Sequence, residues 1–300
     1  MSNTSLGQYT LIEVIGRGRL STVYKAYQPS LRRFVAIKVL QNLDLLGAAR
    51  FEREAQIVAQ LHHPNILQIF DYGQQDELRY FVSQYIDNSV TLSDRLVAER
   101  MPPIAALGLI RHLLAGLAYA HARGIIHRDI KPSNILLPTP EWPLLADFGI
   151  AKLLDDRRQL TPPGQTVGTV AYMAPELARG QTIDARADLY SVGVVLFELL
   201  TGRAPFDAIT PSAVLHMHIH AEPPSPRSLN QDLSVEVERV LLRALAKDPA
   251  ARYQSAEEMA DDLDQVIAHL EREQTLVALL GTPAPTAVYT TRKLAPDASV

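Results

Sequence analysis

The sequence predicts an α+β chain of two lobes: a small antiparallel β-sheet lobe with one helix, then a larger, mainly α-helical lobe. Three observations predict it. Apolar and polar residues alternate over most of the first 85 or so positions, with one helical stretch among them. Helical periodicity takes over after Thr91. Between the helical runs, 125–148 reads as short strands and loops that carry reactive side chains. The length of 300 residues, at about 150 per domain, also accommodates two lobes.

Residues 9–15 alternate, a Gly-containing turn follows, 21–27 alternate again, and 34–40 form a third β-rich run. From about 48 to 61 the period becomes helical. Phe51, Ile57, Val58 and Leu61 share one face, and Glu52, Arg53 and Glu54 crowd the other. Two more strands, 66–72 and 79–85, complete a five-stranded sheet. In the second lobe 104–123 is helical, and Gly124 suits the position just past its end. Residues 150–174 lack a period and read as a long functional loop. Helices resume at about 184–201, 211–220, 235–246 and 255–278, with Pro223, Pro224 and Pro226 punctuating a loop. The Pro-, Ala- and Thr-rich stretch 281–300 reads as a disordered tail.

Bulk composition narrows the function classes. A hydrophobic content of 47% and a charged content of 21% are ordinary for a soluble globular chain. A net charge of −4 argues against nucleic-acid binding. The absence of cysteine excludes disulfides, a thiol nucleophile and cysteine zinc sites, and fits a reducing compartment. The N-terminus has no basic region leading into an apolar run, so no secretory signal is expected. The longest apolar run, 190–200, is interrupted by Glu198 and is too short to span a bilayer. These readings predict a cytoplasmic chain without a membrane segment.

The chemistry concentrates in a few motifs. Gly16-Arg17-Gly18-Arg19-Leu20-Ser21 lies between two strands, where glycines let backbone N–H groups approach phosphate oxygens. On its own it fits a hairpin turn equally well. Lys38, in Val35-Ala36-Ile37-Lys38, is either an edge residue reaching water or a phosphate contact, with Glu54 on the next helix as its counter-charge. His127-Arg128-Asp129-Ile130-Lys131-Pro132-Ser133-Asn134 precedes Asp147-Phe148-Gly149. A loop Asp can orient a substrate hydroxyl and accept its proton. Asn134 and Asp147 supply hard oxygen ligands that suit Mg²⁺. Asp and Asn are also ordinary turn formers, but two such motifs in this order favour the chemical reading.

With these residues in view the chain resembles the eukaryotic-type Ser/Thr protein kinases widespread in bacteria, over about 9–270. The resemblance also draws on Gly168-Thr169, Tyr172-Met173-Ala174-Pro175-Glu176, Asp188 and Arg252. It implies a bilobal kinase fold, with a short N-terminal extension at 1–8, lobes of about 9–86 and 87–270, and a helix end and tail at 271–300. By resemblance Lys38 holds the α- and β-phosphates of ATP and pairs with Glu54, Asp129 is the catalytic base, and Lys131 steadies the γ-phosphate. Asn134 and Asp147 bind Mg²⁺, or Mn²⁺. Ile15, Gly16, Arg17 and Gly18 cover the nucleotide, Val23, Ala36 and Leu136 sandwich the adenine, and Gln84 and Ile86 offer backbone groups to its edge. Ser83 takes the gatekeeper position.

The same resemblance pairs Glu176 with Arg252, sets Asp188 under the backbone near His127 and Arg128, and stacks Val58, Ile69, His127 and Phe148 as an apolar spine. Lys131 and Thr169 point to Ser/Thr rather than Tyr specificity. Arg128, with Lys152 as a second cation, implies activation by phosphorylation, for which Thr161 and Thr166 are candidate acceptors in a transient dimer. The implied partners are ATP and proteins with Ser/Thr acceptors. The alternative is a nucleotide-binding pseudokinase scaffold, but the chain retains Lys38, Glu54, Asp129, Asn134 and Asp147. A small-molecule kinase of related fold would lack the Thr169…Glu176 segment. Two departures stand out: Ser21 replaces the third glycine of the loop, and the hairpin at 138–143 is Pro-rich and carries the sole tryptophan, Trp142. That hairpin reads as a rigid turn with one packed aromatic more readily than as a docking surface.

Overall fold

The computed structural model describes residues 5–18, 21–40, 56–87, 90–98, 100–148 and 170–280. The small lobe is one antiparallel sheet of six strands in the order β1-β2-β3-β4-β6-β5. The strands are β1 Ser5–Leu6, β2 Tyr9–Arg17, β3 Ser21–Gln28, β4 Arg33–Leu40, β5 Ile69–Gln75 and β6 Leu78–Gln84. Leu6, Tyr9, Ala26, Val35, Ile37, Val39, Tyr80 and Val82 form its buried face. The sixth strand is an addition to the five expected. Ser5 and Leu6 pair with Thr10 and Tyr9, and Leu6 is buried at 3% exposure. A two-residue strand is too short to show a period.

The strand expected over 66–72 is also different. It begins at Ile69, because the preceding residues pair elsewhere. Leu67 N–H donates to the Leu145 carbonyl at 2.9 Å, and Leu145 N–H donates to the Asn65 carbonyl at 2.9 Å. These bonds bridge the small lobe to the second sheet, made of β7 Val90–Thr91, β8 Ile135–Thr139 and β9 Trp142–Leu145. Residues 56–59 are helical, as expected, while 60 and 61 already form a turn and irregular chain; 48–55 of that predicted helix lie outside the described residues.

The large lobe is built on the helix Arg186–Thr201, which is apolar nearly all round and buries 14 of its 16 residues. It packs against Val235–Ala244 so closely that a Cβ on Gly193 would sit 2.7 Å from the Ala244 Cβ, which is why glycine occupies the crossing. The helix Pro103–His121 ends before Gly124, whose φ of +73° suits a residue without a Cβ. It is the one helix among the described residues long and apolar enough to cross a membrane, a longer apolar segment than the 190–200 run. Nine of its residues are buried, eight of them in the large core, and it packs along the terminal helix Ala256–Leu280. The short helix Pro226–Leu229 falls where the sequence suggests a loop, and Pro175–Ala178 follows directly on the loop expected to end at 174; each opens on a proline whose fixed φ suits a first helical turn.

Candidate active site

A cleft of about 330 Å³ opens between the lobes. Gly18 and Ser21 border it from the β2–β3 turn, Lys38 from β4, and Asp129, Asn134 and Asp147 from the large lobe. The turn is closed by Gly18 N–H donating to the Ser21 carbonyl at 2.8 Å. Lys38 sits in the middle of the sheet, opposite Val23 on one side and Phe81 on the other.

The loop beneath the cleft is held from below. Asp188, buried on the helix Arg186–Thr201, accepts the His127 N–H at 2.8 Å on Oδ2 and the Arg128 N–H at 2.8 Å on Oδ1. His121 Nε2 also reaches Asp188 Oδ2, at 2.8 Å. Arg128 carries a φ of +66°, a conformation costly for a side-chain-bearing residue and sustained here by that grip. His127 is fully buried, and burial pushes its imidazole below the usual histidine range, so it is neutral. Its Nε2 meets the Ala146 carbonyl at 3.0 Å and must be the protonated nitrogen; Nδ1 then accepts the Asp129 N–H at 3.2 Å. Its ring lies 4.6 Å from that of Phe148, which joins Val58 and Ile69 in the large core cluster.

Asp129 is the convergence point. Its Oδ2 accepts from Lys131 Nζ at 2.9 Å and from Asn134 Nδ2 at 2.9 Å. Asn134 Nδ2 also donates to the Asp129 carbonyl at 2.8 Å, so the amide nitrogen of Asn134 serves Asp129 and its oxygen is the atom suited to a cation. Across the cleft Lys38 Nζ pairs with Asp147 Oδ2 at 2.7 Å. Asp147 takes a φ of +58°. One carboxylate and one carboxamide oxygen bordering a common cleft fit a hard divalent cation that brings phosphate and water for its remaining ligands.

Other expected residues are placed differently. Ile15, Gly16 and Arg17 lie on β2, Val23 on β3, Ala36 on β4 and Leu136 on β8, and none of them borders the 330 Å³ cleft. Gln84 and Ile86 border a separate groove of about 520 Å³ with Pro64 and Trp142. Gln84 N–H donates to the Gln68 carbonyl at 2.9 Å, so a contact of Gln84 with the adenine edge falls to its carbonyl. The cleft instead extends inward past Ser83 to Leu40, Val58, Ile69 and Phe81. Glu54, Thr161, Thr166, Lys152, Gly168 and Thr169 lie outside the described residues.

Two ties outside the cleft complete the site. Arg252 and Glu176 pair through two bonds, at 2.7 and 2.8 Å, beneath the segment that follows 170. Trp142 donates from Nε1 to the Pro64 carbonyl at 3.1 Å and lies 4.9 Å from the His112 ring, yet it is 38% exposed, so the aromatic expected to pack in its hairpin does so only in part. His121, the partner of Asp188, was not foreseen: no local spacing marks a histidine whose carboxylate lies 67 residues away.

A glycine-bearing hairpin over a cleft, a lysine on the sheet and a held Asp-Lys-Asn loop opposite are arranged as in proteins of bilobal kinase fold. The protein kinase domain family model matches residues 9–263, and the chain belongs to that family. It is 39% identical over 267 residues to serine/threonine-protein kinase PknB of Mycobacterium leprae, covering 86% of this chain and 43% of that protein. It is 40% identical over 261 residues to serine/threonine-protein kinase PrkC of Bacillus subtilis, covering 86% of this chain and 40% of that protein. The chain therefore spans about two fifths of the length of these curated relatives. The crystal structure of Rad53 1-466 in complex with AMP-PNP is similar at a TM-score of 0.72 and 25% identity, over 85% of this chain and 64% of that one.

Proposed function

We propose that the chain is a serine/threonine protein kinase that transfers the γ-phosphate of ATP to Ser and Thr hydroxyls of proteins, its own activation loop among them. The observation that carries the reading is the Asp129 carboxylate, bonded by Lys131 and Asn134 and facing the Lys38–Asp147 pair across one cleft. Relatives named as serine/threonine kinases and a nucleotide-bound structural neighbour support it.

In this reading the acceptor hydroxyl lies against Asp129, which orients it and takes its proton as its bond to the γ-phosphorus forms and the bond from that phosphorus to the bridging oxygen breaks, releasing ADP. Lys131, already on Asp129 Oδ2, offers its ammonium to the charge that develops on the transferred group. Lys38 holds the inner phosphates, with Glu54 as the partner it gains when Asp147 turns to a cation. Asn134 and Asp147 would hold Mg²⁺, which supplies neutralising charge on the phosphate oxygens when bound. Gly16, Arg17 and Gly18 close over the phosphates. Ile15, Val23, Ala36, Leu136, Gln84 and Ile86 receive the adenine once the lobes come together on it. Thr161 and Thr166 are the proposed autophosphorylation sites. We take the domain as 9–270 and place its chemistry in the cytoplasm, where ATP is supplied.

The test is phosphorylation with labelled ATP and Mg²⁺, wild type against Asp129→Asn, with sites mapped by mass spectrometry. Phosphate on Thr161 or Thr166 in the wild type alone supports the reading. Nucleotide binding with no transfer to itself or to an added protein returns the chain to the scaffold alternative.

A further inference from the structure

Segment 170–174 leads into the helix Pro175–Ala178 and, through Tyr172 and Met173, shares a water-sized recess with Arg128 and Asp129. Its far side is pinned at two successive peptide carbonyls. Ser191 Oγ donates to the Tyr172 carbonyl at 2.7 Å, and His218 Nε2 meets the Ala171 carbonyl at 2.9 Å. His218 belongs to the helix Pro211–His220, which also packs Val214 and Leu215 on Val170 and accepts Arg179 Nη2 on the Ile219 carbonyl at 3.0 Å. The segment thus rests on this helix, and His218 is the polar contact at its centre.

The surroundings of His218 suit one task. It is fully buried, with the Tyr190 and Phe206 rings edge-on at 5.7 and 5.0 Å. A carbonyl opposite Nε2 requires the proton there, so Nδ1 accepts from the Tyr190 hydroxyl at 2.8 Å. Burial, with Lys247 beside it, pushes the imidazole down to about 4, so the neutral form with one donor and one acceptor persists at working pH. Lys247 Nζ donates to the His218 carbonyl at 2.9 Å and fixes the helix end in turn. An apolar side chain here would leave the Ala171 carbonyl and the Tyr190 hydroxyl buried without partners.

We infer that His218 is a positioning residue for the protein substrate, setting segment 170–174 at the height where it presents the acceptor chain to Asp129. The inference rests on the kinase reading above. It touches neither nucleotide nor the reacting atoms, so its loss acts on the protein substrate and spares ATP.

The experiment is steady-state kinetics of the full chain with myelin basic protein as a generic acceptor, for wild type, His218→Leu and His218→Gln. His218→Leu is expected to raise the acceptor KM about tenfold while the ATP KM stays within about twofold. His218→Gln, which restores a donor at the Nε2 position, is expected to recover most of that loss. A folded His218→Leu with wild-type acceptor KM, or with both KM values raised alike, overturns the inference. If His218→Leu does not fold, Tyr190→Phe removes only the hydroxyl that holds Nδ1. It should raise the acceptor KM selectively, and an unchanged value overturns the inference. A wild type that transfers no phosphate overturns the kinase reading and the inference with it; an active wild type indifferent to these changes overturns the inference alone.

Discussion

Arg252 and Glu176 form a two-bond ion pair withdrawn from water, their side chains 0% and 7% exposed. The guanidinium spends its remaining donors on the carbonyls of Ala246, Lys247 and Arg186. A fork satisfied on every arm ties the segment after 170 to the far side of the large lobe.

Because both charges are buried, removing one strands the other. Arg252→Ala or Glu176→Ala is expected to cost about 3–5 kcal/mol of stability, read by urea denaturation. The double variant Glu176→Leu/Arg252→Leu should lose less than either single change. A double variant weaker than both singles would show that the carbonyl bonds, and not the stranded charge, dominate.

Lys38 and Asp147 are the opposite case. Their side chains are 27% and 46% exposed, so the pair adds under about 1 kcal/mol to the fold. Lys38→Met keeps the apolar stem and should melt near the wild-type temperature while transfer falls roughly a hundredfold or more. Asp147→Asn should abolish the dependence of nucleotide binding on Mg²⁺, measured with a fluorescent ATP analogue. Robust transfer by either variant removes these residues from the mechanism.

The extension of the cleft past Ser83 makes a size prediction. Ser83→Phe fills that space without touching Lys38 or Asp129. ATP affinity should change by less than about threefold, and ATP-competitive compounds with bulky substituents should lose about tenfold or more. Equal losses for both would place Ser83 against the nucleotide itself.

His218 also carries an acid signature. Its folded pKa of about 4 lies below the ordinary 6.5, so between these values the unfolded chain binds the proton and the folded chain does not. Stability therefore falls as pH drops from about 6.5 to about 4, by on the order of 3 kcal/mol, and this contribution is flat below that. Lys247, brought down to about 8 by burial, remains charged throughout the window and opposes protonation, while the Tyr190 hydroxyl stays neutral. Urea denaturation across this range should show a shallower acid slope for His218→Gln than for wild type. Parallel slopes would assign the acid loss to other groups, such as the buried His127.

Much of this arrangement was legible because it is local. The bonds from Lys131 and Asn134 to Asp129 are written within a few residues of the loop, although its support by Asp188 is not, and the long helices announce themselves by period. The helix Pro211–His220 begins and ends where its proline and its pattern place it. What escaped is non-local. Ile66 and Leu67 carry a strand-like pattern, yet Leu67 bonds to Leu145 of the other lobe, a partner 78 residues on. Ser5 and Leu6 join the sheet with too few residues to show alternation. His121 and His218 look like surface histidines in sequence; only the packing of three helices turns one toward Asp188 and the other toward Ala171. The adenine contacts expected from the resemblance depend on how the lobes approach each other, a distance no motif encodes.

The bonds between 65–67 and Leu145 have a mechanical consequence. Among the described residues this short ladder is reinforced where Asn65 Nδ2 donates to the Pro143 carbonyl at 3.0 Å and where Trp142 Nε1 donates to the Pro64 carbonyl, and the Lys38–Asp147 pair adds a further tie between the lobes. A plate held along a short row of bonds turns more readily about that row than across it. Relative turning of the lobes is thereby restrained along the line through 65–67 and Leu145. Tilting the small lobe against the large one must turn about that line or break its bonds.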